Sequence, residues 1–204
     1  MSKPSENTAL SILATPVLVL GLAAGNADAD TIYVCWDGSG HYLTIQEGID
    51  AAQDGDEVVV CDGVYTGPGN RDLDFGGKDI TVGSANGPDN CIIDCQWLGR
   101  GFDFHNGETA ASVVNGFTIR NGYPLFAGGA GICCSSSSPT ISNCRIMYNT
   151  APGDGGGVAC FYSSPTITAC AITANTGDVG GGISCWESSP TITNSLIAGN
   201  TAYG

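Results

Sequence analysis

The residues able to do acid–base chemistry are few and unevenly placed. The chain has 204 residues, with 20 Asp and Glu against 6 Lys and Arg. Fifteen of the acidic residues lie between Asp30 and Glu108, and only Asp154, Asp178 and Glu187 follow. A charged site is therefore expected in the first half. Asp72 and Asp74 would share one face of a strand about 6.5 to 7 Å apart, at the lower limit for the carboxylate pair of an inverting glycosidase. Asp94 and Asp103 would join them from adjacent coils, with Arg100 as the neighbouring cation. Such a group points to a polysaccharide hydrolase or lyase. A solvated acidic face or a Ca2+ ligand cluster explains the same residues. Asp54 and Asp56, in Asp54-Gly-Asp-Glu57, are the metal candidates, Ca2+ being the cation that hard oxygens prefer, although the segment lacks the twelve-residue loop pattern and turn chemistry accounts for it equally. His41 and His105 stand alone, without the spacing of a zinc site, and no nucleophile-elbow motif is present. Trp97, Tyr162 and Trp186 are candidate sugar-stacking platforms, with core or turn packing as the alternative.

Composition limits what these residues could serve. A formal charge of -14 disfavours a nucleic-acid or anionic-membrane partner, because both are bound through clustered cations. With 42% hydrophobic residues the chain can bury a core. Its 31 Gly and only 13% charged residues do not suit a long-helix globule. Lys3, an apolar run over residues 9–24 and Ala27-Asp28-Ala29 have the order of an export signal, with the mature chain starting at Asp30. The run is short for a spanning helix and is broken by Pro16 and Gly21. No membrane insertion of the mature chain is expected, and the location is secreted or cell-surface. All ten Cys lie in the mature part, which favours some disulfides.

The elements that must position these side chains are announced by a repeat. GICCSSSSPTISNCRIMYNT, GVACFYSSPTITACAITANT and GISCWESSPTITNSLIAGNT align without internal gaps. Pro139, Pro165 and Pro190 are 26 and 25 residues apart, as are Asn149, Asn175 and Asn200. A period in the mid-twenties marks a solenoid. Short alternating runs between Gly-rich and Ser-Ser-Pro punctuation are strands, three per coil. This predicts an all-β fold, a single-stranded right-handed parallel β-helix. Ile141, Ile167 and Ile192 should form one inward ladder and Cys134, Cys160 and Cys185 another, the thiols unbridged because parallel side chains meet the disulfide torsion poorly. Cys35 with Cys61 is the expected bridge. Asn149, Asn175 and Asn200 should stack as an amide ladder.

The Gly-Gly-Gly-Ile/Val and Ile-x-x-Asn elements, over residues 116–201, resemble the Gly-Gly-Ala-Ile and Phe-x-x-Asn repeats of polymorphic outer-membrane autotransporter passengers, with Ile in place of Phe. More generally they resemble the β-helix repeats of the pectin-lyase-like superfamily. Residues 37–67, with Thr44-Ile-Gln-Glu47 before a strand and a Gly63-Val-Tyr65 turn, are similar to the entry segment of pectin methylesterases. The esterases' Gln-Ala-Val, Gln-Asp-Thr-Leu and Asp-Phe-Ile-Phe-Gly elements do not occur here. The resemblance implies the fold, and for lyase chemistry it would require a Lys or Arg base and usually Ca2+.

Upstream of the repeats, Thr31–Val34 reads as a strand, and Thr44 with Glu47 as a capping box that opens a short helix over the end of the first coil. Segments 58–61, 73–75, 80–82, 91–94, 102–104 and 113–119 read as strands of less regular coils. The division is a signal peptide (1–29), a cap with irregular first coils (30–115), and regular coils (116–204) that stop where another turn would begin, as in a fragment of a longer protein. The function read from this is an exported scaffold or surface protein contacting extracellular polysaccharide or a cell-surface component. It carries no identifiable active site and no cofactor beyond an optional Ca2+. Polysaccharide cleavage by the acidic first half is the alternative. A third reading, ice or crystal-surface binding, rests on outward Thr140-x-Ser142, Thr166-x-Thr168 and Thr191-x-Thr193 rows, which resemble those of β-helical antifreeze proteins.

Overall fold

A computed structural model describes residues 29–126 and 128–204. The export signal expected over residues 1–29 lies outside the described residues, Ala29 apart.

The described chain winds into a parallel β-solenoid whose strands stack into three main sheets of seven, six and four strands. Alternation within each strand decides the winding. In the seven-stranded sheet, the inward position is filled in register by Ile32, Val58, Val82, Val114, Ile141, Ile167 and Ile192. Branched side chains stacked this way lose little rotamer freedom and pack well on a pleated surface. The six-stranded sheet carries a second row, Tyr65, Ile93, Ile119, Ile146, Ile172 and Ile197. In the four-stranded sheet Phe104, Cys134, Cys160 and Cys185 share one register position. Both predicted ladders are therefore present. Ile141, Ile167, Cys134 and Cys160 are fully buried, whereas Ile192 is 39% exposed and Cys185 is exposed, each on the end strand of its sheet.

Each coil bends at single residues held in the left-handed region. Ser136, Tyr162 and Glu187 form one stack of such residues, Asn143, Ala169 and Asn194 a second, and Tyr148, Ala174 and Gly199 a third. Gly155 and Gly180, at φ +69° and +65°, make the remaining bend, where a Cβ would press on the backbone of the following strand. The Asn row forms as expected: Asn149 donates its Nδ2 to Asn175 Oδ1 at 3.0 Å, and Asn175 donates to Asn200 Oδ1 at 3.0 Å. A Ser row runs parallel to it. The Ser137 amide donates to Ser163 Oγ at 3.1 Å and the Ser163 amide to Ser188 Oγ at 3.0 Å.

At the other end, the helix Ile45–Ala51 opens with the predicted capping box and buries Ile45, Gly48 and Ile49. A Cβ on Gly48 would lie 2.5 Å from Val34 and 3.0 Å from Val58, so the helix rests directly on the first coils. The Lys78 ammonium donates to the Ile49 and Asp50 carbonyls at the end of this helix. Cys35 and Cys61 are bridged, with 5.0 Å between their Cα atoms, and the other Cys are free thiols.

Several strand assignments need correction. Segment 73–75 is not a strand: Leu73 makes one isolated bridge to Phe102, Asp72 has φ +50°, and the Asp74 carboxylate accepts from the Gly76 amide. Leu73 keeps ladder bonds to the next coil, donating to the Gly101 carbonyl at 3.0 Å and accepting from the Asp103 amide at 2.9 Å, while side-chain hydrogen bonds take over at Asp74. Segment 113–119 is two strands, Val113–Asn115 and Thr118–Arg120, separated at Gly116, which has φ +82°. The strand Gly63–Tyr65, read from sequence as a turn, opens the six-stranded sheet.

Candidate functional site

Three turn segments stack where the six-stranded sheet passes into the four-stranded one. Asp72 sits at the bottom, with its carboxylate accepting from the Arg100 amide at 2.9 Å while its own amide donates to the Arg100 carbonyl at 2.6 Å. Gly99 then accepts from the Tyr123 amide at 2.7 Å. Gly99 is at φ +63°, and a Cβ there would overlap the Asp72 carboxylate, so this stacking requires glycine. The result is a groove of about 540 Å³ lined by Arg71, Asp72, Leu98, Arg100, Tyr123 and Phe126, among others. Leu125 and Phe126 project from its rim, 75% and 83% exposed.

Charges continue from the groove along the neighbouring strand. Arg100 Nη1 donates to Asp103 Oδ1 at 3.2 Å. His105 lies 3.9 Å from Asp103 and 3.8 Å from Asp74, and Asn106 Nδ2 donates to Asp74 at 2.9 Å. Of the predicted catalytic group, Asp72, Asp74, Asp103 and Arg100 are thus gathered into one strip. The pairing predicted for Asp72 and Asp74 does not survive. With no strand at 73–75, Asp72 is held by the Arg100 amide and Asp74 by Asn106 and Gly76, so the two carboxylates address different partners.

Asp94 belongs elsewhere. Its carboxylate accepts from Arg120 Nε, Asn121 Nδ2 and the Gln96 amide, each at 3.0 Å. Burial works against its charge, but the hydrogen bonds from Asn121 and Gln96 and the Arg120 guanidinium outweigh burial and hold the carboxyl below its usual range. Asp54 and Asp56 are likewise engaged: Asp54 accepts from the Asp79 amide, and Asp56 from the Gln53 and Asp30 amides, which lower its pKa. Among the described residues no three His, Cys, Asp or Glu side chains converge on a common point.

The predicted aromatic platforms split into two groups. Trp97, half exposed, sits on the turn beside the groove but does not line it. Tyr162 and Trp186, also exposed, lie at the C-terminal ends of neighbouring strands of the four-stranded sheet, Trp186 closing Ile183–Trp186 and Tyr162 following Val158–Phe161, and the Tyr162 amide donates to the Trp186 carbonyl at 3.0 Å. The Thr rows are in register over Thr140, Thr166 and Thr191 and over Ser142, Thr168 and Thr193. Several of their hydroxyls are spent within the protein: Thr140 Oγ1 donates to Ala110 O, Ser142 Oγ contacts Val114 O at 3.4 Å, and Thr193 Oγ1 donates to Thr168 Oγ1.

Sequence reasoning missed Arg71, Leu98, Tyr123 and Phe126 as groove residues. A signal was available in Tyr123-Pro-Leu-Phe126, which puts large apolar residues where the next coil has Thr150-Ala-Pro-Gly153. It also missed Glu108, a buried carboxylate that accepts from the Gly77 amide, the Asn106 amide and Ser137 Oγ, and so anchors the base of the Ser row.

The family described as right handed beta helix region matches residues 74–204, more than half of the chain. No curated protein matches it. Among solved structures, a pectin methylesterase from carrot is 18% identical with a TM-score of 0.45, over 83% of this chain and 65% of the other. The chain thus spans 65% of the length of that protein.

Proposed function

The chain belongs to the right-handed β-helix family, and from that premise we propose that it is an exported β-helix scaffold contacting extracellular carbohydrate through the groove beside Arg71 and Arg100. One observation carries the reading: a groove of about 540 Å³ combines aromatic and aliphatic walls with two guanidinium groups and a carboxylate. Sugars are bound in this way, with the apolar face of a ring against an aromatic and the hydroxyls fixed by bidentate polar groups. Among the described residues, ion pairs occupy Arg100, Arg120 and Arg145 but not Arg71, which leaves its donors to a ligand. Export is supported by the Lys3, apolar and small-x-small order of residues 1–29. No helix of the described residues is long and apolar enough to cross a membrane.

A glycan array probed with the protein tests this proposal. Arg71→Ala and Phe126→Ala should each weaken the selected glycan about tenfold or more, the scale of losing one charge-assisted hydrogen bond or one stacked ring. Uniform failure to bind any glycan, or binding untouched by both substitutions, rejects it.

The gathering of Asp72, Asp74, Asp103 and Arg100 favours a second reading, polysaccharide hydrolysis along the same strip. For lysis the base would be Arg71, because Lys78 is committed to the helix end. Reducing-end release without an unsaturated product, lost in Asp103→Asn, would establish hydrolysis, and its absence across the glycans that bind would remove it.

A further inference from the structure

Two pairs of cysteines share one relation in this fold. Cys35 and Cys61 each follow a strand by one residue, Thr31–Val34 and Glu57–Val60, stand 26 residues and 5.0 Å apart at Cα, and are bridged. Cys144 and Cys170 are also 26 residues apart, and each stands one residue before a strand, Arg145–Met147 and Ala171–Thr173. Those strands pair Arg145 with Ala171, and the Ala171 amide donates to the Cys144 carbonyl at 2.9 Å, so the two cysteines oppose each other on successive coils. Neighbouring strands lie about 4.8 Å apart, inside the window of about 4.4 to 6.8 Å that a disulfide accepts between Cα atoms. Both are free thiols, 1% and 3% exposed.

We propose that Cys144 and Cys170 are a second inter-coil disulfide site, filled by thiol–disulfide exchange after export. The site is filled only if the chain is exported, as proposed above, because an oxidising compartment is what keeps such a bridge. Position separates this pair from the thiol row of the four-stranded sheet. Cys134 and Cys160 lie inside Ile132–Ser135 and Val158–Phe161, where the ladder holds the backbone on both sides and the pleat keeps the two side chains parallel. Cys144 and Cys170 adjoin the corner residues Asn143 and Ala169, at φ +51° and +53°, and the Cys170 amide donates to Ser195 Oγ at 3.1 Å instead of to a strand carbonyl. A cysteine beside a corner has the ladder on one side alone, so its Cα can adjust to the torsion that a bridge requires. Cys170 Sγ already reaches back to the previous coil, 3.6 Å from the Ile141 carbonyl. The pair also borders a depression of about 340 Å³, lined from successive coils by Pro88, Asn143, Arg145 and Ala169 among others, which gives a disulfide donor an approach from the side of the stack.

Two exchanges balance the step. The Cys170 thiolate attacks one sulfur of a small-molecule disulfide such as oxidised glutathione, giving a mixed disulfide and one released thiol. The Cys144 thiolate then attacks the Cys170 sulfur and releases the second. Two protein thiols are oxidised, one disulfide is reduced to two thiols, and the two cysteine protons pass to them.

The test equilibrates the reduced protein with oxidised and reduced glutathione, alkylates it in denaturant, and maps it without reduction by tandem mass spectrometry. Two bridges are expected, Cys35–Cys61 and Cys144–Cys170, with the mass lowered by four hydrogens and the other cysteines alkylated. Cys144→Ser should keep Cys35–Cys61 and leave Cys170 open to alkylation; Ser195, in the equivalent place of the next coil, indicates that serine fits there. Against that variant, the oxidised parent should protect the amides of Ile146 and Ile172 from hydrogen exchange about 100-fold better, the chain-entropy scale for a loop of this length. If the variant does not fold, the parent mapped before and after oxidation decides. Alkylation of both Cys144 and Cys170 at equilibrium, or Cys134 linked to Cys160 in their place, overturns the proposal. A reporter fused behind residues 1–29 tests export separately: the bridge formed in glutathione with a reporter that stays inside would reject export and not the pair, whereas an exported protein with both thiols free rejects the pair.

Discussion

Glu108 shows how one side chain can hold two coils and why it was hard to read. Its carboxylate is almost fully buried and receives the Gly77 and Asn106 amides and the Ser137 hydroxyl. Burial disfavours its charge, but its own amide, Ser137, Gly77 and Asn106 together hold its pKa below the usual value. A folded pKa below the unfolded one means stability present above about pH 4.3, the unfolded value, and lost as pH falls through the folded pKa. Glu108→Ala, which strands three donors, is expected to cost about 2 to 4 kcal/mol at pH 7. Glu108→Gln should be less stable than the parent at pH 7 and should lose less on acidification from pH 5 to 3, as urea unfolding at several pH values would record. Nothing in the sequence around Glu108 marks it, since its partners come from residues 77, 106 and 137. Asn149 and Asn175 were legible because the repeat printed them at equal spacing. Alternation does not hold at Asp72 and Asp74 because Asp72 itself sits at φ +50° and no extended run passes through it.

At the scale of the element, the left-handed corners are where the chain departs most from local preference. A non-glycine residue in this region costs roughly 1 kcal/mol relative to glycine. Ala174 is at φ +53°, and the equivalent residue of the next coil is Gly199. Ala174→Gly is therefore expected to raise stability by about 0.5 to 1 kcal/mol; a fall in the melting temperature would show that the methyl group packs usefully. Gly157→Ala should do the opposite, since its Cβ would lie 2.5 Å from the Gly182 carbonyl oxygen and force two coils apart. The regular coils were readable from sequence because period-2 alternation and turn punctuation agreed in all three copies. The earlier coils were less so. Strands of three residues such as Gly63–Tyr65 offer too few positions for alternation to register, and their pairing is decided by strands 28 residues away. The cap helix was readable because a capping box is a local device, complete within residues 44–47.

The whole molecule is a one-dimensional stack, so its stability is a sum of neighbouring contacts with reinforcement at one end. The Cys35–Cys61 bridge joins the first coil to the second across 26 residues, beside the cap helix. Replacing both Cys by Ser is expected to lower stability by about 3 to 4 kcal/mol, the chain-entropy value for such a loop. Hydrogen exchange should then speed up at residues 31–65 before residues 132–173, whereas uniform acceleration would mean that the stack unfolds as a single unit. The fold follows from a repeat that any reading of the sequence reveals, but the groove follows from its interruption at residues 121–126, where Tyr123 and Phe126 join Arg71 and Arg100 in one lining. Repeats predict their own continuation and not their exceptions, which is why the walls of the site were missed. This groove, and not the Thr rows or the Tyr162 and Trp186 flank, is the proposed carbohydrate contact. The most direct measurement is an NMR titration of the isotopically labelled protein with the oligosaccharide selected on the array. The amides of Gly99, Arg100 and Tyr123 and the ring of Phe126 are predicted to shift with one common saturation curve that is lost in Arg71→Ala. Shifts confined to Thr140, Thr166 and Thr191, or to Tyr162 and Trp186, would contradict the account.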